Sequence, residues 1–243
     1  FEHVSKNVTS LNVIGGEPTV IKEFFELIAY CYEQKTLGDK TVLIHSNMTN
    51  TNPKLSQWLS KMKTWSIAAS VDGIGDRNRY IRYPSDWASI VKNIKFYNDI
   101  TKAHNNGQVV FGPAIQLLNI DQLAEMCFFF EEMCPSSHSI GFYSHVKYPI
   151  ICDYDIAPTE YKLKVADSLE KKIKGIKNQR YVEDLYTHIN GLRQETFTED
   201  QKQIYQKMFV RYNDTQDRLR ANTKTWRELI PDLDKAINLE VHT

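Results

Sequence analysis

A four-residue corner carries the clearest potential for chemistry in this sequence. The apolar run Leu11–Ile14 ends at Gly15, Gly16, Glu17 and Pro18. Adjacent glycines let the backbone approach a ligand with no side chain in between, and proline withholds an N–H and fixes the direction of the chain. An amphipathic helical pattern follows, so the corner is predicted to join a strand to a helix. Glu17 would then present a carboxylate at the carboxyl edge of a sheet, where open α/β folds bind ligands.

A second pair of polar side chains follows a later apolar run. Ser70 and Asp72 lie two residues apart at the end of a strand predicted over 65–71, so both should point to one face of it. In a parallel barrel that face is the interior, and ligands bind at the carboxyl end of the strands. An Asp-Gly turn beside a buried serine is the alternative interpretation.

Residues 74–84 are predicted to form an irregular polar loop that contains several arginines. A guanidinium can bind both oxygens of a carboxylate at once, which makes such a residue a candidate for an anionic ligand group. Arg82 is the first candidate, and Arg77 and Arg79 compete with it. Any of the three could instead be solvated.

Gly-Gly-Glu-Pro at a strand end, followed one strand–helix–strand later by Ser-Val-Asp-Gly, resembles the motifs of the radical S-adenosylmethionine enzymes. The resemblance covers roughly residues 10–146. It implies an α/β fold, a partial parallel (β/α) barrel that lacks its first strand. It also implies a cytoplasmic oxidoreductase in which a reduced [4Fe–4S] cluster cleaves S-adenosylmethionine to a 5′-deoxyadenosyl radical that abstracts hydrogen from an unidentified substrate.

The same resemblance assigns the site residues. Glu17 and the backbone of Gly15–Gly16, next to Pro18, would hold the amino group of S-adenosylmethionine. Arg82 would bind its carboxylate. Ser70 and Asp72 would meet the ribose or methionyl end.

Two asparagines complete the set that the resemblance implies. Asn47 occupies the place of a family Thr-Asn-Gly strand end, although this sequence reads Ser-Asn-Met-Thr there. Asn119 follows the next strand and matches a frequent family asparagine. A turn explains Asn47 nearly as well, and helix capping explains Asn119 equally well.

The cysteines depart from the family pattern. Cys31, Cys127, Cys134 and Cys152 are scattered, and no C-x3-C-x2-C loop for the cluster is present. They are interpreted as buried thiols of a reducing compartment, and no metal site is assigned. The cluster ligands are expected upstream of Phe1, or the protein is a homologue that has lost the cluster.

The remaining pattern predicts how these residues are positioned. Strands over 11–14, 41–45, 65–71, 109–116 and 140–146 alternate with helices, a rhythm typical of parallel strands with helical crossovers. From Pro158 onward the pattern is only helical, so the expected domains are a partial barrel over 1–155 and a helical extension over 156–243. The extension resembles that of phage-borne members of the family.

The charge composition limits the classes of partner that the sequence predicts. Lys+Arg and Asp+Glu are both 30 of 243 residues, so no bulk charge favours nucleic acid or an anionic membrane. The resemblance implies a small-molecule cofactor as the partner. His45, Tyr143 and His145 lie near predicted strand ends and could face a substrate, although a histidine in an apolar strand is more often a core residue. Cys152–Asp155 contains an Asp-x-Asp pair that could bind a metal–phosphate, but a solvated loop is the expected structure there.

Two alternatives from other classes stay open. The chain could be a cluster-less, non-catalytic module that binds S-adenosylmethionine or another protein. It could also be an ordinary α/β enzyme in which the Gly-Gly-Glu-Pro corner is a coincidence.

Overall fold

The structure is a computed structural model that describes residues 1–135, 141–142, 144–220 and 223–241. The chain forms two compact units. The first contains the described residues within Phe1–Val71, Asp86–Gly112 and Glu132–Ile140. The second contains those within Asp72–Ser85, Pro113–Glu131 and Gly141–Thr243.

The first unit contains a parallel sheet of four strands, in the order of the sequence: β1 Ser10–Val13, β2 Thr41–Ser46, β3 Thr64–Ala69 and β4 Gly107–Phe111. The register pairs Val13 with Ile44, and Ser46 with Ala69. Sequential strand order is the order of a (β/α) barrel, whereas doubly wound sheets reverse direction at a switch point. The carboxyl ends of β1, β2 and β3 therefore lie along one edge.

Side-chain burial explains why these segments form strands. Val42 and Ile44 of β2 are buried and alternate with more exposed neighbours, as a period of two requires. β3 is buried on both faces near its end, at Ala68 and Ala69. Such two-sided burial is typical of a parallel strand covered by helices.

The helices of the first unit follow local signals in the sequence: α1 Glu2–Asn7, α2 Lys22–Glu33, α3 Pro53–Leu59 and α5 Trp87–His104. Asn52 caps α3 by accepting a hydrogen bond from the Lys54 amide, and Pro53 occupies the first turn. Asp86 caps α5 in the same way through the Ser89 amide.

The second unit contains the helices α4 Asp76–Ile81, α7 Thr159–Lys172, α8 Gln179–Leu192, α9 Glu199–Leu219, α10 Trp226–Leu229 and α11 Pro231–Val241. Helix α6 spans Leu123–Met133. Thr198 and Gln201 form the capping box expected at the start of α9.

The α/β class and the parallel strands are confirmed, and two local predictions are wrong. Residues 74–84 are not an irregular loop, because α4 forms there and buries Arg77, Asn78 and Tyr80. The last predicted strand is reduced in the described residues to one bridge between Ile115 and His145, and Ile140 and Tyr143 lie outside those residues. The predicted domains 1–155 and 156–243 stay a prediction.

No helix in the described parts of the chain is long and apolar enough to cross a lipid bilayer.

Candidate functional site

The Gly-Gly-Glu-Pro corner follows β1 directly. Gly15 and Gly16 have φ angles of 99° and 56°, in the left-handed region that glycine adopts without strain. Both are exposed. A β-carbon at Gly15 would meet no atom within 4 Å, so the backbone conformation, and not a lack of space, requires glycine here. The corner therefore presents bare backbone to its surroundings.

Four hydrogen bonds hold the Glu17 carboxylate. Its Oε1 accepts from the Thr19 amide at 3.2 Å, the Thr19 hydroxyl at 2.6 Å and the Ser46 hydroxyl at 3.0 Å. Its Oε2 accepts from the Asn47 amide at 2.7 Å. Because Ser46 is the last residue of β2 and Asn47 follows it, the carboxylate links the corner to the neighbouring strand. A carboxylate oxygen has two lone pairs, so Oε2 retains room for another donor.

All four donors to Glu17 are neutral. No residue among those described forms an ion pair with this carboxylate, which is half-buried. Its charge also reaches the buried Tyr97, whose pKa is raised by burial and then by Glu17. The corner thus holds an oriented negative charge that its own unit does not neutralise.

The side chains of Asn47 and Ser70 differ in whether they already form hydrogen bonds within the protein. The Asn47 Oδ1 accepts from the Thr49 amide at 2.9 Å and hydroxyl at 2.6 Å, which is the turn role weighed above. Ser70 follows β3, and its amide donates to the Ser46 carbonyl at 2.8 Å. The half-buried Ser70 hydroxyl makes no hydrogen bond to a described residue, so it is free for a ligand.

Asp72 belongs to the second unit and is almost completely buried. Its Oδ2 lies 2.7 Å from Nε of Arg82, an ion pair in which the Nε–H does not point along the line to the oxygen. Its Oδ1 accepts from the Ala114 amide at 2.9 Å. The Asp72 amide donates to Asn78 Oδ1 at 2.9 Å. This carboxylate already has an internal cation.

The three candidate arginines have different surroundings. Arg77 is buried, and its guanidinium donates to Asp121 and to the Leu118 and Leu229 carbonyls, which makes it a structural residue. Arg79 is exposed. The Arg82 side chain is 30% exposed, and its terminal nitrogens have no partner among the described residues. Arg82 therefore remains able to bind an anion while its Nε faces Asp72.

Asn119 joins three pieces of backbone. Its Oδ1 accepts from the Gln116 amide at 2.8 Å, and its Nδ2 donates to the carbonyls of Asp72 and Ala114, both at 2.9 Å. It is fully buried and makes no capping hydrogen bond. A cofactor contact by this side chain would have to displace one of these bonds.

The two histidines near predicted strand ends also have different surroundings. His45 is half-buried, and its Nε2 is buried without a hydrogen-bond partner. His145 stacks on Tyr154 with ring centroids 3.8 Å apart, and its Nε2 lies 2.8 Å from Asp153. Tyr143 is outside the described residues.

The solvated loop expected for Cys152–Asp155 is wrong, because Asp153 and Asp155 are buried. One possible ligand atom from each of His145, Asp153 and Asp155 lies within 4.8 Å of the others. Asp153 also caps a 3-10 turn, and Lys147 Nζ lies 3.7 Å from Asp155. These internal partners account for the burial of both carboxylates.

The described cysteines do not fit an iron–sulfur cluster. Cys31, Cys127 and Cys134 are buried, Cys152 is half-buried, and they belong to different segments. Burial raises the pKa of the Cys134 thiol to about 12 and also raises that of Cys152. Cluster ligation needs thiolates that converge on one point.

Sequence reasoning did not assign Thr19 and Ser46, which hold Glu17. Thr19 had a local signal, because a hydroxyl two residues after an acidic residue can bond back to it at the start of a helical turn. Ser46 depends on the register of β1 against β2. Nothing in the sequence indicated that Tyr97 lies near Glu17, since the two residues are far apart in the chain.

No protein-family model matches this sequence, and no curated protein matches it significantly. Among solved structures the fold is similar to SuiB of Streptococcus suis, in a crystal structure bound to S-adenosylmethionine. The TM-score is 0.45 at 16% sequence identity, and the match covers 68% of this chain and 35% of SuiB. The chain therefore corresponds to about a third of that protein. A similarity this distant assigns no residue roles, so the proposals below rest on the geometry described above and on the sequence motifs.

Proposed function

We propose that this chain binds S-adenosylmethionine and that Glu17 recognises its amino group. The observation that carries the proposal is the Glu17 carboxylate, held by four neutral donors with no cation among the described residues. A protonated amine supplies the missing positive charge and donates to the open lone pair of Oε2. The exposed carbonyls of Gly15 and Gly16 are further acceptors.

The family resemblance also implies a cationic group for the other end of the cofactor, Arg82. We assign to Arg82 the carboxylate of S-adenosylmethionine, because its terminal nitrogens have no described partner and a guanidinium binds carboxylates through two parallel hydrogen bonds. The proposed contacts of Ser70, Asp72, Asn47 and Asn119 come from the family resemblance. Ser70 has the best support among them, since its hydroxyl is free.

In the leading form of the proposal the protein is part of a radical S-adenosylmethionine enzyme. A [4Fe–4S] cluster would supply the electron for cleavage of the cofactor, with ligands other than the cysteines of this chain. What these residues do is bind and orient the cofactor. The second candidate is a non-catalytic S-adenosylmethionine-binding module, which the burial and scattering of the four thiols favour for these 243 residues.

Equilibrium binding of S-adenosylmethionine tests the shared part of both candidates. Glu17→Gln removes the charge and should weaken binding by about tenfold or more, the range for a hydrogen bond to a charged group. Glu23→Gln, an exposed residue of α2, is the matched control and should bind like wild type. Wild-type affinity in Glu17→Gln, measured where the variant is still folded, would contradict the role of the corner.

Anaerobic reconstitution with iron and sulfide separates the two candidates. Because the thiols are buried and scattered, the chain should acquire no iron–sulfur absorbance and should not cleave S-adenosylmethionine by itself. A stable cluster on this chain would show that the cysteines have been misassigned.

A further inference from the structure

The second unit contains a cavity of about 320 Å³, a volume within the range of small-molecule sites. Its lining combines an apolar wall, which includes Leu118 and Ile151, with the polar side chains of Gln116, Gln216 and Arg220. All of these residues belong to one unit.

Arg220 is the residue that caps the carboxyl end of α9, and no carboxylate of a described residue holds its side chain. Its Nη1 donates to the Tyr80 carbonyl at 2.7 Å, and its Cζ lies 5.3 Å and 5.2 Å from the ring centres of Tyr80 and Tyr83. It forms no ion pair with any residue that the structure describes. Two aromatic faces thus hold a guanidinium whose charge has no anionic partner.

Two carboxamides beside Arg220 also lack partners. Gln116 is only 9% exposed, and its side-chain amide makes no hydrogen bond to a described residue although it lines the cavity. Gln216 is half-buried, and its side-chain amide also makes no hydrogen bond to a described residue. Both amides therefore keep their donors and acceptors available to a ligand or to water in the cavity.

We propose that this cavity binds a small organic carboxylate that carries an amide group on an apolar skeleton. The free nitrogens of Arg220 can hold the two carboxylate oxygens as a fork. Gln116 and Gln216 can pair with the amide, because a carboxamide both donates and accepts. The alkyl part packs on Leu118 and Ile151. This inference does not depend on binding of S-adenosylmethionine.

Cys152 supplies the readout. It is the half-buried cysteine and lines the cavity, whereas Cys31, Cys127 and Cys134 are buried. N-acetylleucine is the probe, because it has the carboxylate, the amide and the alkyl group. At millimolar concentration it should slow alkylation of Cys152 by iodoacetamide, followed by peptide mass spectrometry. Its methyl ester and inorganic phosphate, which each lack part of this chemistry, should not.

Variants identify the groups responsible. Arg220→Gln should weaken protection about tenfold or more. The matched control Arg218→Gln changes an exposed arginine of the same helix and should leave protection intact. Gln216→Met should weaken protection several-fold without touching Arg220, which keeps the test decisive if Arg220→Gln fails to fold.

Three results would overturn the proposal: no protection by N-acetylleucine, equal protection by the ester or by phosphate, or full protection in Gln216→Met. No S-adenosylmethionine is added in these measurements. Their failure is therefore distinguishable from failure of the Glu17 binding experiment.

Discussion

Glu17 and Asp72 each follow a strand of the sheet, but their carboxylates have opposite kinds of partner. Glu17 is half-buried and has only neutral donors, so its charge is oriented and left uncompensated. Asp72 is 3% exposed and faces the Arg82 guanidinium. The difference teaches that position at a strand end does not by itself define a ligand contact. The partner chemistry separates a group poised for a ligand from one that stabilises the fold.

The largest expected effect concerns the asparagine beside Asp72. Asn119→Ala leaves the Gln116 amide and the Asp72 and Ala114 carbonyls without partners, and each buried orphan costs about 1–3 kcal/mol. We expect the free energy of unfolding to fall by about 3 kcal/mol or more in urea titrations. Asn190→Ala, on the exposed face of α8, should keep wild-type stability. A small loss in Asn119→Ala would show that this side chain is not a structural tie.

Asp72→Asn should have the next largest effect. It removes the charge that faces Arg82 while keeping the shape, and because Arg82 is 30% exposed we expect a loss of about 2 kcal/mol rather than the full cost of a buried pair. The double variant with Arg82→Gln should lose less than the sum of the two single changes. Additive losses would mean that the ion pair contributes nothing to folding.

Glu17→Gln should destabilise less than Asp72→Asn, by about 1 kcal/mol, because neutral donors to a half-exposed group contribute about that much. Urea titration of both variants at neutral pH compares them directly. A loss as large as that of Asp72→Asn would make the corner a structural tie and would remove the contrast between the two carboxylates.

The smallest expected effect is a pH dependence in the second unit. His188 donates from Nε2 to the Phe142 carbonyl, and its Nδ1 lies 3.1 Å from the Tyr154 hydroxyl. Burial lowers the pKa of His188 below its usual value of 6.5. The unfolded chain then binds the proton more readily, so stability should fall as the pH drops below 6.5 and be constant above it.

Urea midpoints measured between pH 5 and pH 8, a window set by the ordinary histidine pKa, check this slope. His188→Gln should flatten the profile, whereas His104→Gln, at an exposed position, should not. An unchanged slope in His188→Gln would assign the pH dependence to other groups.

The sequence predicted the fold better than the site. Repeated strand–helix patterns were enough for the parallel strands, because burial on both faces leaves long apolar runs. The polar composition of segment 74–84 led to the wrong prediction of a loop. Arg77 and Asn78 are polar residues that α4 buries, and Arg77 pairs with Asp121, which is distant in sequence.

The corner was predicted from the sequence, but the partners of its carboxylate were not. Two glycines and a proline next to Glu17 predicted the turn from local chemistry. The register of β1 against β2 brings Ser46 and Asn47 to the carboxylate. That register is not visible in the sequence, so the sequence did not show that the donors to Glu17 are neutral. The pairing of Asp72 with Arg82 likewise required the fold of α4.

A cycle of one variant and one ligand change tests the central claim most directly. Calorimetry would compare S-adenosylmethionine with its deaminated analogue, in which a keto group replaces the amino group, on wild type and Glu17→Gln. The account predicts that wild type prefers S-adenosylmethionine by about tenfold or more and that the variant loses this preference. Equal affinity of wild type for both ligands, or an undiminished preference in the variant, would contradict it.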